Sequence, residues 1–143
     1  MSFNKVLIIA ESLTGNTISF VDYVIEMFSG KYEFTVKKPR EIGDDFDFSE
    51  YDKVMIGSYT WSDGKIPVKT KKTAIQHRDV LMEKDVLIFG TGWTMYPFFC
   101  GAVDGLYIIL GEKFPTIKFE LRFDPDVEEE AVESINKFLG DGI

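Results

Sequence analysis

Cysteine and histidine are nearly absent from this 143-residue chain, which has one of each. A single cysteine, Cys100, excludes an intrachain disulfide and a metal site built from several thiolates. A single histidine, His77, excludes histidine-based zinc sites and catalysis by a histidine pair. We expect His77 at the surface near a helix end, where it would compensate the helix dipole. Any chemistry must therefore come from other residue types or from a cofactor.

Long apolar runs and excess positive charge are also missing. The longest apolar runs, Val6–Ala10 and Leu106–Leu110, fall far below the roughly 18 residues of a membrane-spanning helix. The N-terminus does not have the pattern of a secretory signal. Lys and Arg number 16 against 24 Asp and Glu, and the resulting net charge of −8 opposes binding to a nucleic-acid backbone. We expect a soluble, cytoplasmic, monomeric protein with no membrane or nucleic-acid partner.

Length and composition indicate one globular domain covering residues 1–143. Apolar residues make up 45% of the chain and charged residues 28%, which is typical of a folded protein and argues against disorder. A chain of this length can bury about 68–70% of its unfolded surface, enough for a substantial core.

Apolar runs alternate along the chain with segments of helical spacing. The predicted strands are Val6–Ala10, Tyr32–Lys38, Lys53–Ser58, Val86–Phe89 and Thr116–Phe123. The predicted helices are Gly15–Ser29, about Ile66 to about His77, Phe98–Leu110 and Val127–Leu139. We expect a loop with at most a short helix in the acidic segment Glu41–Asp52. This alternation predicts an α/β fold, in which a parallel sheet is covered by helices on both faces and ligands bind at the carboxyl ends of the strands.

The loop after the first strand, Glu11–Thr17, is rich in hydroxyl groups. It contains three hydroxyl side chains, one amide and Gly15 between a buried strand and a helix start. A helix N-terminus offers unpaired amides and the positive end of the helix dipole, which suit a phosphate group. Simple N-capping by Ser and Thr is the alternative. The loop lacks the Walker sequence and the three spaced glycines of a dinucleotide site, so it favours a single phosphate.

The loops after the third and fourth strands are rich in aromatic residues. Gly57–Gly64 contains Tyr59 and Trp61, and Gly90–Pro97 contains Trp93 and Tyr96. Aromatic side chains in loops have few core neighbours, so a planar ligand between the two loops would bury them. A cluster of aromatic side chains packed over the end of the sheet, or a surface that binds another protein, would also bury them. With the first loop, the pattern describes a ligand with one phosphate and a flat ring, as in flavin mononucleotide (FMN).

At these three loops the sequence resembles the short-chain flavodoxins over nearly its whole length. The pattern Ser-x-Thr-Gly-Asn-Thr at 12–17 resembles the phosphate loop of that family. Thr60-Trp61 matches its ring-stacking position, Tyr96 matches the tyrosine on the other ring face, and 99–104 resembles the following helix start. The resemblance implies a three-layer αβα sandwich, flavodoxin-like, with a five-stranded parallel sheet in the order 2-1-3-4-5.

The resemblance also implies which residues bind FMN. The phosphate would be held by Ser12, Thr14, Asn16 and Thr17, with backbone amides from Leu13 and Gly15. The second loop would line the cofactor through Ser58, Tyr59, Thr60, Trp61, Ser62, Asp63 and Gly64. Within that loop, Thr60 would contact the phosphate or ribityl chain. The rest of the site would consist of Thr91, Gly92, Trp93, Tyr96, Phe99 and Cys100. Trp61 and Tyr96 would enclose the ring, and the backbone of Thr91, Gly92 and Trp93 would face its pyrimidine edge.

The function implied by the resemblance is electron transfer at low potential, without catalytic residues of the chain's own. The donor would be a flavin- or NADPH-dependent reductase, and the acceptor a redox enzyme. Ser62 stands where the family usually has glycine, and Trp93 where it usually has an acid. These departures predict a less stabilised one-electron-reduced state and a less negative second potential than in typical relatives. The segment 65–84, with six bases and two acids, stands where the family is usually acidic, which predicts an altered partner or a merely solvated helix face.

Two alternatives remain at this point. The segment Phe114–Leu121 resembles the last strand of small flavodoxin-like proteins that activate manganese ribonucleotide reductase, which would make that enzyme the acceptor. Those proteins also bind FMN. The second alternative is a regulatory domain without flavin, but Glu11 alone does not provide the acidic cluster of a phosphoacceptor site.

Overall fold

All five predicted strands form in the computed structural model, which describes residues 4–12, 15–60, 64–95 and 99–140. The strands are β1 (Asn4–Glu11), β2 (Tyr32–Lys37), β3 (Lys53–Tyr59), β4 (Asp85–Gly92) and β5 (Thr116–Glu120). The α-helices are α1 (Asn16–Phe28), α2 (Val68–Gln76), α3 (Arg78–Leu81), α4 (Gly101–Ile109) and α5 (Glu129–Leu139). A short 3-10 helix covers Pro39–Glu41, and no longer helix interrupts the described acidic segment that follows.

The strands form one parallel sheet in the order β2-β1-β3-β4-β5. The expected α/β architecture and strand order are therefore confirmed. The order reverses at β1, because β2 lies on one side of it and β3 on the other. In open parallel sheets, ligands bind beyond the carboxyl ends of the strands at such a reversal.

Successive residues of β1 contribute to two separate cores. Val6 and Ile8 pack into the core that contains α1 and α5, whereas Leu7 and Ile9 pack into the core on the other face of the sheet. All four side chains are fully buried. This is the arrangement that a continuous apolar run predicts, because alternate side chains of a strand point to opposite faces and both faces are covered.

Two elements differ in length from their predictions because single residues adopt a left-handed backbone. The helix predicted from Phe98 begins only at Gly101, since Cys100 has φ +52°. The strand predicted to reach Phe123 ends at Glu120, since Leu121 also has φ +52°. Such conformations are disfavoured for residues with a Cβ, and the sequence pattern does not reveal them.

Two helices begin two residues later than predicted. The last helix was predicted to begin at Val127, but Val127 precedes the first turn of α5 and is 73% exposed. The second helix begins at Val68 because Pro67 precedes it as the N-terminal cap. The four-residue helix α3 follows it and was not predicted. Within the described residues, none of the helices has the length and apolar character needed to cross a membrane.

The prediction that His77 lies at the surface is wrong. His77 follows the last residue of α2, but its side chain is buried. Its Nε2 donates a hydrogen bond to the carbonyl oxygen of Gly43, 2.9 Å away, and its ring packs against Phe48. His77 therefore connects the loop after β2 to the end of α2 through this hydrogen bond and ring contact.

Candidate functional site

The carboxyl ends of β1, β3 and β4 lie side by side in the sheet. Glu11 of β1 is paired with Ser58 of β3, and Ser58 is paired with Gly90 of β4. One residue further on, Tyr59 is paired with Thr91. Because neighbouring strands are about 4.8 Å apart, the three loops singled out from the sequence leave the sheet next to one another.

The first of these loops turns into α1 through a left-handed glycine. Gly15 is the N-terminal cap of the helix and has φ +88°. Its amide donates a hydrogen bond to Oγ of Ser12, 2.9 Å away, and its carbonyl oxygen accepts one from the amide of Ser19. A Cβ at Gly15 would meet nothing within 4 Å, so the position needs glycine for its backbone conformation and faces open space. The predicted residues Leu13 and Thr14 lie outside the described residues.

A buried hydroxyl at the start of α1 has no hydrogen-bond partner among the described residues. Thr17 is completely buried in the first turn of the helix, and its Oγ1 makes no hydrogen bond within the part of the chain that the structure describes. Buried polar groups are nearly always paired, because leaving one unpaired costs about 1–3 kcal/mol. This orphaned hydroxyl, together with the unpaired amides of a helix N-terminus, forms a donor set that fits a phosphate group.

Positive charge lies close to the first loop. Lys38, Arg40 and Lys69 border a small groove together with Glu11 and Ser12. The sequence interpretation relied on uncharged donors alone and missed these cations, because they come from the segment after β2 and from α2. Their combined charge favours an anion near Ser12. Beside this groove, Oγ1 of Thr70 donates a hydrogen bond of 2.6 Å to Oε1 of Glu11, which links α2 to the end of β1.

In the second loop, the hydroxyl groups of Ser58 and Thr60 form hydrogen bonds within the protein. Ser58 is fully buried, and its Oγ donates to the carbonyl oxygen of Tyr59, 2.8 Å away. Oγ1 of Thr60 accepts a hydrogen bond of 3.1 Å from the amide of Ala102 at the start of α4. Burial raises the pKa of Tyr59, and the charge of Glu11 raises it further, so the phenol stays protonated. The predicted residues Trp61, Ser62 and Asp63 lie outside the described residues.

Close backbone contacts join the second and third loops to α4. A Cβ at Gly101 would come within 2.5 Å of the carbonyl oxygen of Gly64, and a Cβ at Gly92 within 2.8 Å of the amide of Cys100. Neither approach leaves room for a side chain, since real Cβ atoms do not come so close to backbone. Gly64 itself has φ +83°. The glycines thus allow the two loops to pack directly on the N-terminus of α4.

The third loop is held by the residues that follow β5. Oγ1 of Thr91 donates to the carbonyl oxygen of Leu121, and the amide of Leu121 donates to the carbonyl oxygen of Gly92. Oγ1 of Thr94 donates a hydrogen bond of 2.7 Å to Oε1 of Glu120. Glu120 and Leu121 were missed by the sequence interpretation, although the end of β5 adjoins this loop. Trp93 is 42% exposed at the loop, and the predicted Tyr96 lies outside the described residues.

The thiol of Cys100 is buried in the core. Its side chain is fully buried, and Sγ lies 3.6 Å from the carbonyl oxygen of Gly90. Burial raises the pKa of this thiol to about 12, so it is neither ionised nor reactive at neutral pH. Cys100 can therefore face a ligand only through its backbone, and the neighbouring Phe99 is half-buried.

Comparison with known proteins points to one family. The family described as Flavodoxin matches residues 8–137. A flavodoxin of Maridesulfovibrio salexigens is 31% identical over 98% of this chain and 99% of its own length. The Bacillus subtilis protein named "Probable flavodoxin 2" is 31% identical over 90% of this chain and 89% of its own. Among solved structures, oxidised flavodoxin 2 of Bacillus cereus superimposes with a TM-score of 0.72 at 29% identity, covering 96% of this chain and 97% of that one.

Proposed function

The chain belongs to the flavodoxin family and is an FMN-binding electron-transfer protein, and we propose that it carries electrons from a flavin- or NADPH-dependent reductase to an acceptor enzyme. FMN supplies the redox chemistry when bound. The protein binds the cofactor, orients it and controls access to it. The assignment to this chain's own residues depends on Thr17 at the start of α1, whose buried hydroxyl has no hydrogen-bond partner in the described part of the chain.

We propose that the first loop holds the phosphate. Thr17 would donate its hydroxyl, and the amides of the first turn of α1, beginning with Asn16, would donate alongside it. The left-handed turn at Gly15 and its hydrogen bond to Ser12 support this assignment, because they hold Ser12 next to the first turn of α1. Thr14 and the amide of Leu13 complete the proposed set.

We propose that the second and third loops hold the ring. The backbone of Gly92 and Trp93 would face the pyrimidine edge. That backbone is held by the hydrogen bond that the amide of Leu121 donates to Gly92 and by the one that Glu120 accepts from Thr94. Trp61 and Tyr96 are proposed to stack on the two ring faces. Backbone that is already hydrogen-bonded at Gly92 and Thr94 needs little further ordering on binding, which favours the contact.

Acidic residues near these loops support a low potential. Glu11 ends β1 and Glu120 holds the third loop, and a negative charge near the flavin disfavours the anionic, fully reduced ring. A like charge at about 8 Å costs about 2 kcal/mol at an effective dielectric of about 20. For one electron, about 1.4 kcal/mol corresponds to about 59 mV. Each of these two charges, at such a distance, would therefore lower the potential.

A spectroelectrochemical titration of the FMN-loaded protein tests the proposed role. Two well-separated one-electron steps would support a carrier that exchanges single electrons with a reductase and an acceptor. Nearly equal steps, with rapid production of peroxide or superoxide on exposure to oxygen, would contradict it. That second result would favour the other candidate, an activator of manganese ribonucleotide reductase, which stays a prediction from the segment Phe114–Leu121.

A further inference from the structure

One face of α2 is exposed and carries both apolar and basic side chains. Val68, Lys71, Lys72 and Ile75 follow one another at intervals of three, one and three residues, which places them on the same side of the helix. Val68 is 79% exposed and Ile75 54% exposed. The opposite side of the helix, with Thr70, Thr73 and Ala74, is buried against the protein.

This face borders a groove between α2 and α4, which we call the α2 groove. Its walls are Val68, Lys71, Lys72 and Ile75 on α2 and Gly105 on α4, and its volume is about 630 Å³. The side chain of Ile66 forms the floor, since it packs where a Cβ of Gly105 would stand. The groove thus presents an apolar floor below a basic rim.

The α2 groove begins at the proposed flavin site. Gly64, at the end of the second loop, lines the groove together with Gly101, the first residue of α4. These are the two residues whose backbones approach so closely that Gly101 has no room for a Cβ. A protein seated in the groove would therefore touch the loop that is proposed to carry the flavin ring.

The charge of this surface opposes that of the rest of the molecule. The chain has a net charge of −8, yet Lys65–Arg78 contains five bases and no acid. Within the described residues, no carboxylate forms an ion pair with Lys69, Lys71 or Lys72. On the far side of α2, Lys69 and Lys72 share a shallow groove with Arg40 and one acid, Asp44, so the balance there is also positive. The rim keeps its positive charge available to a partner.

We propose that the α2 groove docks an acidic redox partner protein, which places carboxylates on Lys71 and Lys72 and an apolar side chain between Val68 and Ile75. The inference rests on the proposed electron-carrier function and names the chemistry of its partner. Electron-transfer contacts are small and transient, and a groove of this size suits them. Opposite charges speed the encounter, while the apolar floor gives the contact its position.

The test uses the FMN-loaded protein and two redox proteins of opposite charge. Reduced plant-type [2Fe–2S] ferredoxin is the acidic probe: each molecule donates one electron to the oxidised holoprotein in a stopped-flow experiment at low and high salt. Cytochrome c is the basic probe, and each ferric molecule accepts one electron from the reduced holoprotein. The variant is K71Q/K72Q. The matched control K113Q/K137Q removes the same number of positive charges as K71Q/K72Q. Its two lysines are exposed and border a groove at the amino ends of the strands, away from the proposed flavin site.

At low salt, K71Q/K72Q is expected to slow the reaction with ferredoxin about three- to tenfold and to leave that with cytochrome c unchanged or faster. K113Q/K137Q is expected to change the ferredoxin rate less than about twofold. Val68→Ser is expected to weaken docking without changing the salt dependence. Equal slowing by both double variants would overturn the inference, because the effect would then be one of net charge alone.

Two further measurements separate this inference from the proposed function and from other occupants. Every variant is titrated with FMN. If K71Q/K72Q binds FMN normally and its rate with ferredoxin is unchanged, the docking surface alone is overturned. If the wild-type protein binds no FMN, both the docking surface and the proposed electron-carrier function are overturned. Sedimentation of the wild type is also measured. A dimer that K71Q/K72Q dissociates would overturn the acidic partner and assign the α2 groove to a second copy of the chain.

Discussion

Removing the unpaired hydroxyl of Thr17 should change stability and FMN affinity in opposite directions. Valine has nearly the same shape as threonine, so T17V deletes the buried Oγ1 without opening a cavity. In the apoprotein, the unpaired hydroxyl imposes a penalty of about 1–3 kcal/mol, and its loss should stabilise the fold by about 1 kcal/mol. For a domain of this size, that raises the Tm by about 3 °C.

FMN binding should weaken in the same variant. A hydrogen bond to a charged group contributes about 1.5–3 kcal/mol, so losing one to the phosphate should lower FMN affinity about tenfold to hundredfold. The assay is quenching of FMN fluorescence on titration with apoprotein, next to thermal unfolding of the same sample. Riboflavin lacks the phosphate, and its affinity should be the same for T17V and the wild type.

Thr73 offers a matched control for the same chemical change. It is also buried, but its Oγ1 donates to the carbonyl oxygen of Pro39, and it belongs to α2 and not to any of the three loops. T73V should therefore destabilise the apoprotein by about 1 kcal/mol and leave FMN affinity unchanged. The reasoning is refuted if T17V lowers the Tm as much as T73V does, or if it binds FMN as tightly as the wild type.

Other substitutions test the packing around the site. Gly101→Ala should cost about 1–3 kcal/mol of stability and weaken FMN binding, because its Cβ would meet the backbone of Gly64. Gly30 has open space around it, so Gly30→Ala should be neutral or stabilising in the same unfolding assay. Burial raises the pKa of Cys100, so the contribution of the protonated thiol to stability is fully present below the unfolded pKa near 9 and is lost as the pH rises toward 12. Cys100→Ala should therefore reduce the loss of stability between pH 9 and 12. An unchanged dependence of the free energy of unfolding on pH would contradict this assignment. Tyr32→Phe should cost about 1 kcal/mol, measured by urea unfolding, because the phenol donates a buried hydrogen bond of 2.8 Å to Leu139; no loss would show that the bond contributes nothing.

The elements that could be predicted from sequence depend on local patterns. The continuous apolar run at Val6–Ala10 is enough to specify a strand covered on both faces, and β1 is that strand. The elements that differ depend on contacts between distant parts of the chain. Cys100 adopts its left-handed backbone where Gly92 packs against it, and His77 is buried because Gly43, 34 residues away, accepts its hydrogen bond.

The same distinction applies to the candidate site. The sequence placed three loops at one end of the sheet, and the register brings their strands together there. It did not reveal which hydroxyl groups are paired within the protein. Ser58 and Thr91 donate to carbonyl oxygens, while the hydroxyl of Thr17 has no partner among the residues that the structure describes. Residue type alone cannot separate these cases, because the outcome depends on which acceptor the fold brings within reach.

The central claim is that the first loop and the start of α1 hold the phosphate of FMN. The most direct measurement compares the affinities of the wild-type apoprotein for FMN and for riboflavin in one buffer. Several hydrogen bonds to a doubly charged group predict that FMN binds at least about a hundredfold more tightly. Equal affinities for the two flavins, or no quenching of FMN fluorescence at all, would contradict the account.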